Sequence, residues 1–194
     1  MKKLVFILFI LFSFVGFSQI NNEHLNVGEE APLISGVDQF DKVINSSDIL
    51  KEKRILLLFY RGNWCPYCRK HLKTLQENLK ELTNKGYYVI VVSPEKSEKT
   101  EETSDKIKAT FSIIHDVENT IMNAYKVAFE INNENVKSYY NYTKNKVEKY
   151  NQDDNNILPV PATYIIGKNG KIAFVHYDPD YTNRKDLKEI LSMK

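Results

Sequence analysis

The feature that most constrains this 194-residue chain is the position of its only two cysteines, Cys65 and Cys68. They follow an apolar run, residues 55–60, which is typical of a buried strand. They precede a segment in which leucines recur at spacings of three and four, which predicts a helix with one apolar stripe, at Leu72, Leu75, Leu79 and Leu82. Both thiols are therefore expected at a strand-to-helix junction.

The start of a helix favours a thiolate over a thiol, because unpaired backbone N–H groups and the positive end of the helix dipole lie there. Pro66 suits the first helical position, since it lacks an N–H that would be unsatisfied there. We therefore predict that Cys65 caps the helix and that Cys68 lies on the same face within disulfide reach. Because Cys65 belongs to the loop and Cys68 to the helix, we predict Cys65 as the nucleophile and Cys68 as the resolving thiol.

Two alternatives to a redox pair are a metal site and an inert structural disulfide. A zinc site normally needs four ligands, so one Cys-x-x-Cys is half a site. His71 is a third ligand by position, but the sequence indicates no fourth. The strand before the pair and the helix after it favour a redox function, and we expect neither a cofactor nor a metal.

The first 18 residues differ in kind from the rest. Lys2 and Lys3 precede an apolar block, residues 4–17, and small residues follow, which is the pattern of a secretory signal peptide. We predict removal after Ser18, a single domain over residues 19–194, and a location in the periplasm or cell envelope, where disulfides persist. The alternative is that the segment is retained as a membrane anchor.

Charge composition argues against a nucleic-acid partner. The full sequence has 27 basic and 25 acidic residues. Removal of Lys2 and Lys3 with the signal peptide would leave equal numbers of basic and acidic residues. A nearly neutral chain with no clustered basic face is not typical of proteins that bind DNA or RNA.

The remaining pattern predicts an α/β protein with a central mixed sheet flanked by helices. Strands and helices alternate over residues 55–125, which favours parallel strands. Asn169-Gly170 separates two apolar runs, residues 158–166 and 171–177, and predicts an antiparallel hairpin before a final helix. Residues 129–156 form a polar, tyrosine-rich insertion without a clear period, which is either a solvated segment or a lid or partner surface that uses its tyrosines as contacts.

Three stretches, residues 59–68, 158–164 and 178–182, resemble in order the peroxiredoxin-like branch of the alkyl hydroperoxide reductase and thiol-specific antioxidant (AhpC/TSA) family, within the thioredoxin-fold superfamily. The resemblance implies that Pro161 is a cis-proline that turns Val160 toward the thiols, and that Trp64 supports the site. The sequence departs from the family at two places, where Leu58 replaces a proline and Gly62 replaces a threonine or serine that binds peroxide.

The lost hydroxyl leaves an arginine as the group that would stabilise the thiolate and the leaving oxygen. Arg61 beside the loop and Arg184 after the Asp-Pro-Asp-Tyr turn are the two candidates, since an arginine near Cys65 would lower its pKa.

Three functions remain open at this point. The first is a thiol-dependent peroxidase whose Cys65–Cys68 disulfide is reduced by a thioredoxin-like dithiol partner. The second is a thiol-disulfide oxidoreductase that acts on protein disulfides in the cell envelope. The third is a copper chaperone that binds through both cysteines and His115 or His176. The sequence does not fix the oligomeric state.

Overall fold

The structure is a computed structural model that describes residues 24–132, 140–151 and 156–192. The predicted signal peptide lies outside these ranges and stays a prediction. Within the described ranges, no helix is long and apolar enough to span a membrane.

The described chain contains nine strands and six α-helices. The strands are β1 Ser35–Val37, β2 Val43–Asn45, β3 Arg54–Phe59, β4 Tyr87–Ser93, β5 Ser112–His115, β6 Ala128–Glu130, β7 Ile157–Pro159, β8 Ala162–Ile166 and β9 Ile172–Tyr177. The helices are α1 Ser46–Ile49, α2 Pro66–Asn84, α3 Ser97–Ile107, α4 Thr120–Ala124, α5 Tyr140–Tyr150 and α6 Leu187–Ser192, and a 3₁₀ turn at Val117–Asn119 precedes α4.

A five-stranded sheet in the order β5-β4-β3-β8-β9 forms the centre of the protein. Strands β3, β4 and β5 are parallel, whereas β8 is antiparallel to both β3 and β9. This arrangement confirms the predicted mixed sheet and the predicted hairpin. Two small antiparallel pairs, β1–β2 and β6–β7, lie outside the central sheet.

Strand β3 is covered on both faces, as its continuous apolar sequence predicts. Leu56 and Leu58 pack into one core with the buried face of α2, and Ile55 and Leu57 pack into a second core with α4. This alternation follows from the period of two residues in a strand. Cys65 and Cys68 belong to the α2 core.

Strands β7 and β8 correspond to one predicted strand, residues 158–166, which the structure divides at Val160 and Pro161. β7 pairs with β6, and β8 joins the central sheet. The break lets the chain pass from the small pair to the central sheet, because a proline removes a donor from a strand ladder.

Helix α5 lies within the tyrosine-rich region for which the sequence shows no clear period. Only Thr143 and Val147, four residues apart, are buried in it, so its apolar stripe is too narrow to be recognised against the surrounding polar residues. Its end is fixed by the Lys96 N–H, which donates to the Tyr150 carbonyl at 2.9 Å. The helix is thus held against the loop that follows β4.

Candidate active site

The two cysteines lie at the start of the 19-residue helix α2. Cys65 is the N-cap residue and Pro66 is the first helical residue, which confirms both predicted positions. The Cys68 backbone N–H donates to Cys65 Sγ at 3.4 Å, so the cap uses a sulfur where most helices use an oxygen. A negative charge on Cys65 would therefore be stabilised by the helix end.

Both thiols are free and buried, with exposed fractions of 2% for Cys65 and 1% for Cys68. The exposed fractions therefore do not distinguish the nucleophile from the resolving thiol. The prediction from the sequence that Cys65 is the more exposed of the two is not supported. What separates them is a cavity of about 270 Å³ that Cys65 borders and Cys68 does not. The cavity is lined by Arg61, Trp64, Cys65, Pro66, Tyr67, Tyr142, Thr143 and Tyr181.

The cysteine pair shares one proton near neutral pH. Burial raises the pKa of Cys68, but the hydrogen bond from Cys65, the charge of Arg184 and the backbone N–H of Arg61 outweigh it and lower that pKa to about 6. The pKa of Cys65 is raised, first because its thiol donates that hydrogen bond, then because it is buried beside the Cys68 charge. Two coupled groups of this kind titrate as a pair.

Both predicted arginines lie beside the thiols, but the prediction that an arginine gives Cys65 a lowered pKa is wrong: the lowered pKa is that of Cys68. Arg184 Nη2 is 3.8 Å from Cys68 Sγ. The Arg61 guanidinium is buried, with its centre 4.6 Å from the ring centroid of Tyr181 and 5.1 Å from that of Trp64. Its Nε–H has no hydrogen-bond partner among the described residues. Two positive charges thus stabilise the single thiolate of the pair.

Glu95 is a buried carboxyl group that the sequence analysis did not select. Its two oxygens accept hydrogen bonds from the Tyr60 hydroxyl at 3.0 Å and from the Asn63 N–H at 2.7 Å. Burial raises its pKa to about 8 in spite of these bonds. Its position two residues after β4 is a usable signal, because the carboxyl ends of parallel strands β3 and β4 meet at one edge of the sheet.

The structure explains why residue 62 is a glycine. Gly62 has a φ of +149°, a conformation that other residues rarely adopt. A Cβ atom there would lie 2.5 Å from Trp64 Nε1 and 2.9 Å from Glu95 Oε1. A threonine or serine at this position is therefore excluded by the indole ring and the buried carboxyl group.

The prediction of a cis peptide bond before Pro161 is wrong. No cis peptide bond occurs among the described residues, so Pro161 follows a trans bond, the form that X–Pro bonds intrinsically prefer. The buried Val160 N–H donates to the Val127 carbonyl at 2.8 Å and is not open to a substrate strand. Neither Val160 nor Pro161 is among the residues that line the cavity.

The histidines proposed as metal ligands do not form a ligand cluster with the cysteines. Within the described part of the chain, no group of three or more His, Cys, Asp and Glu side chains is placed to hold a metal ion. This finding covers His71, His115 and His176, the three histidines considered in the sequence. The geometry therefore lends the copper-binding hypothesis no support.

Helix α5 borders the cavity; the sequence did not predict this helix, but the use of its tyrosines as contacts was one of the two alternatives for residues 129–156. The Tyr142 ring meets the Trp64 ring edge to face at a centroid distance of 6.3 Å, and Thr143 lines the same space. Tyr181 also lines the cavity, and its ring meets that of Tyr67 edge to face at a centroid distance of 5.7 Å. Three separate segments of the chain therefore meet around Cys65.

Comparison with known proteins identifies the family to which the chain belongs. The model of the AhpC/TSA family matches residues 27–175. The chain belongs to the AhpC/TSA family. The resemblance noted in the sequence is thereby confirmed.

Curated relatives of this AhpC/TSA protein include enzymes of two kinds. Peroxiredoxin Bcp of Escherichia coli strain K12 is 25% identical over 163 residues, which cover 84% of this chain and 92% of that protein. The thiol-disulfide oxidoreductase ResA of Bacillus thuringiensis subsp. konkukian is 27% identical over 173 residues, which cover 87% of this chain and 82% of that protein.

Among solved structures, peroxidoxin BcpB from Mycobacterium tuberculosis superposes with a TM-score of 0.66 at 15% identity. The match covers 87% of this chain and 96% of that chain and confirms the thioredoxin-like fold. Family and relatives together identify this AhpC/TSA protein as a thiol-dependent enzyme of the peroxiredoxin type.

Proposed function

We propose that the protein is an exported thiol peroxidase that reduces hydroperoxides through Cys65 and Cys68. The observation that carries the proposal is the cavity beside Cys65, where a sulfur at a helix start faces a buried arginine. Peroxide cleavage needs a thiolate and a positive group near the oxygen that leaves. Arg61 supplies the positive group at this cavity, and Cys65 becomes the thiolate there once its proton has moved to Cys68.

The first step moves a proton within the pair. The Cys65 thiol passes its proton along the hydrogen bond to the Cys68 thiolate, and the charge then lies on the sulfur that borders the cavity. The Cys68 N–H bond to Cys65 Sγ stabilises that charge. Because the two sulfurs form a coupled pair, the transfer needs no outside base.

Oxidation follows in two balanced steps. The Cys65 thiolate attacks one peroxide oxygen, an S–O bond forms, the O–O bond breaks, and the leaving alkoxide or hydroxide takes up a proton. The Cys68 thiol then attacks the Cys65 sulfenic acid, which gives the Cys65–Cys68 disulfide and water. The spacing of the two residues at the helix start supports this closure.

A dithiol partner of the thioredoxin type completes the cycle. Its attack on the disulfide restores two thiols here and leaves the partner oxidised, so electrons from the partner reach the peroxide. The support for export is the composition of residues 1–18, and a pair that works outside the cytosol needs such a partner there.

Disulfide exchange with other proteins is the second candidate. It is favoured by the likeness to ResA, which is named a thiol-disulfide oxidoreductase, and by the absence of a hydroxyl at Gly62. Against it stands Val160, whose N–H already bonds the Val127 carbonyl and so offers no donor to an extended substrate.

Stopped-flow oxidation of the reduced protein by hydrogen peroxide, set beside reduction of insulin disulfides, separates the two candidates. We expect peroxide to oxidise the pair faster than it oxidises free cysteine at the same pH, and insulin to be reduced slowly. The Cys65→Ser variant is the control for peroxide reactivity. Oxidation of the wild-type protein no faster than free cysteine, with rapid insulin reduction, would establish the second candidate.

A further inference from the structure

The hydroxyl group of Thr143 is buried and has no hydrogen-bond partner among the described residues. Thr143 is 1% exposed and lines the cavity that Cys65 borders. Buried hydroxyl groups are nearly always paired, because an unpaired one loses its bonds to water without replacement. The unpaired hydroxyl of Thr143 at this cavity therefore needs an explanation, and a bound ligand would provide one.

Other helical threonines in the same chain show how such a hydroxyl is normally satisfied. Each of four donates to the carbonyl oxygen three or four residues earlier in its helix: Thr74, Thr83, Thr100 and Thr103. This is the usual bond of a threonine within a helix. Among the described residues Thr143 has no such bond, so its hydroxyl stays available.

The active-site loop has no aliphatic hydroxyl of its own. Residues 60–68 contain neither serine nor threonine, and Gly62 has no room for one beside Trp64 and Glu95. Any hydroxyl of this kind at the cavity has to come from another element. Thr143 reaches the cavity from α5, some 80 positions further along the chain.

The position of Thr143 is fixed by packing on both sides of it along the helix. Val147, one turn later, is fully buried in the α2 core, and the Lys96 N–H holds the Tyr150 carbonyl. Tyr142 contacts Trp64 at the other end. A donor held on a packed helix is preorganised, whereas one on a solvated loop is not.

We propose that Thr143 binds the hydroperoxide against Cys65, donating a hydrogen bond to the oxygen that leaves. The proposal rests on the peroxidase function above. Arg61 also lines this cavity, and its Nε–H, which none of the described residues pairs with, supplies the second donor. As the O–O bond breaks, its electron pair moves to the leaving oxygen, and donors aimed at a developing anion bind it more strongly than they bind the neutral peroxide.

Two substitutions at residue 143 and one matched control test this role. Thr143→Val removes the hydroxyl and keeps the side-chain shape, and Thr143→Ser keeps the hydroxyl. Thr100→Val is the control, because Thr100 is equally buried at 1% exposure, donates to the Ser97 carbonyl, and lines a separate cavity of about 460 Å³. Circular dichroism and thermal unfolding establish that each variant is folded.

The measurements are the rate constants for oxidation by hydrogen peroxide and for alkylation by iodoacetamide, on each reduced protein at one pH. Alkylation needs the thiolate but no leaving oxygen. We expect Thr143→Val to slow peroxide oxidation about tenfold or more, the effect of one hydrogen bond of roughly 1.4 kcal/mol, and to leave alkylation unchanged. We expect the peroxide rate constant of Thr143→Ser to stay within about threefold of the wild-type value, a difference of under about 1 kcal/mol. We expect Thr100→Val to have the wild-type rate constants.

Three other outcomes overturn the proposal, and they differ from one another. If the wild type reacts rapidly with peroxide and Thr143→Val reacts equally fast, Thr143 has no part in binding and the peroxidase function stands. If Thr143→Val slows peroxide oxidation and alkylation alike, the residue acts only on packing or thiolate formation. If the wild-type protein is itself no faster than free cysteine, the proposed function and this inference fail together.

Discussion

Arg184 Nη2 lies 3.8 Å from Cys68 Sγ, although 116 positions separate the two residues in the sequence. The segment before α6 brings the arginine there, and α6 fixes that segment by burying Leu187 and Ile190 in the α2 core. The end of the chain thereby sets the electrostatics of the helix that carries the thiols. A positive charge this close favours a thiolate.

Removal of this charge is expected to raise the pKa of the cysteine pair. In Arg184→Met, the first thiolate, with a pKa of about 6 in the wild type, should titrate about one pH unit higher, because an opposite charge at this distance shifts a pKa by about 1–3 units. Ultraviolet absorbance of the thiolate across a pH series measures the midpoint. Arg184→Lys keeps the charge and is the control. An unchanged midpoint in Arg184→Met would show that the arginine does not act on the pair.

Substitution of Gly62 by threonine is expected to destabilise the protein without improving peroxide reduction. The new side chain would meet Trp64 and Glu95 at a φ of +149°, and backbone strain of this kind costs roughly 1–3 kcal/mol before the steric clash is added. Denaturant unfolding measures the loss.

Gly86→Thr is the matched control for Gly62→Thr. Gly86 also has a positive φ, of +81°, but nothing lies within 4 Å of a Cβ atom there. We expect its cost to be the smaller of the two, since it carries the backbone penalty alone. Equal losses in both variants would mean that the contacts with Trp64 and Glu95 are not what excludes a side chain at residue 62.

The raised pKa of Glu95 predicts how stability depends on pH. Below pH 4.5 the carboxyl group is protonated in both the folded and the unfolded chain. Between pH 4.5 and about 8 the unfolded chain releases the proton and the folded chain keeps it, so the free energy of unfolding falls as pH rises, by at most about 1.4 kcal/mol per unit. Above pH 8 both states are ionised and the loss is complete.

Glu95→Gln removes this titration and keeps the geometry, because an amide can accept from the Asn63 N–H and donate to the Tyr60 oxygen. We expect the variant to gain stability relative to the wild type as pH rises from 5 to 8. Denaturant unfolding at several pH values measures the difference, with Glu101→Gln, on the exposed face of α3, as the control. A difference between variant and wild type that does not grow over this range would contradict the raised pKa of Glu95.

Local patterns in the sequence predicted the central sheet, the hairpin and the placement of the thiols. The apolar run of β3 and the leucine stripe of α2 each carry their own period, and Pro66 marks the first residue of the helix. Signals of this kind need only neighbouring residues, so they can be recognised without the tertiary structure.

The other walls of the site depend on contacts between distant segments. Glu95 follows β4 and Thr143 lies in α5, so the two residues come from distant parts of the sequence. The sequence around Thr143 has no apolar period strong enough to predict α5. The equal burial of Cys65 and Cys68 also depends on packing over the loop, which residue order does not reveal. Pro161 shows the converse, because a family motif suggested a cis bond where this chain has a trans bond.

The most direct test of the central claim is mass spectrometry of the Cys68→Ser variant after brief treatment with hydrogen peroxide and a reagent that traps sulfenic acids. The account predicts a trapped sulfenic acid on Cys65, and in the wild-type protein a disulfide between Cys65 and Cys68. A sulfenic acid absent from Cys65, together with a wild-type pair that stays reduced, would contradict it.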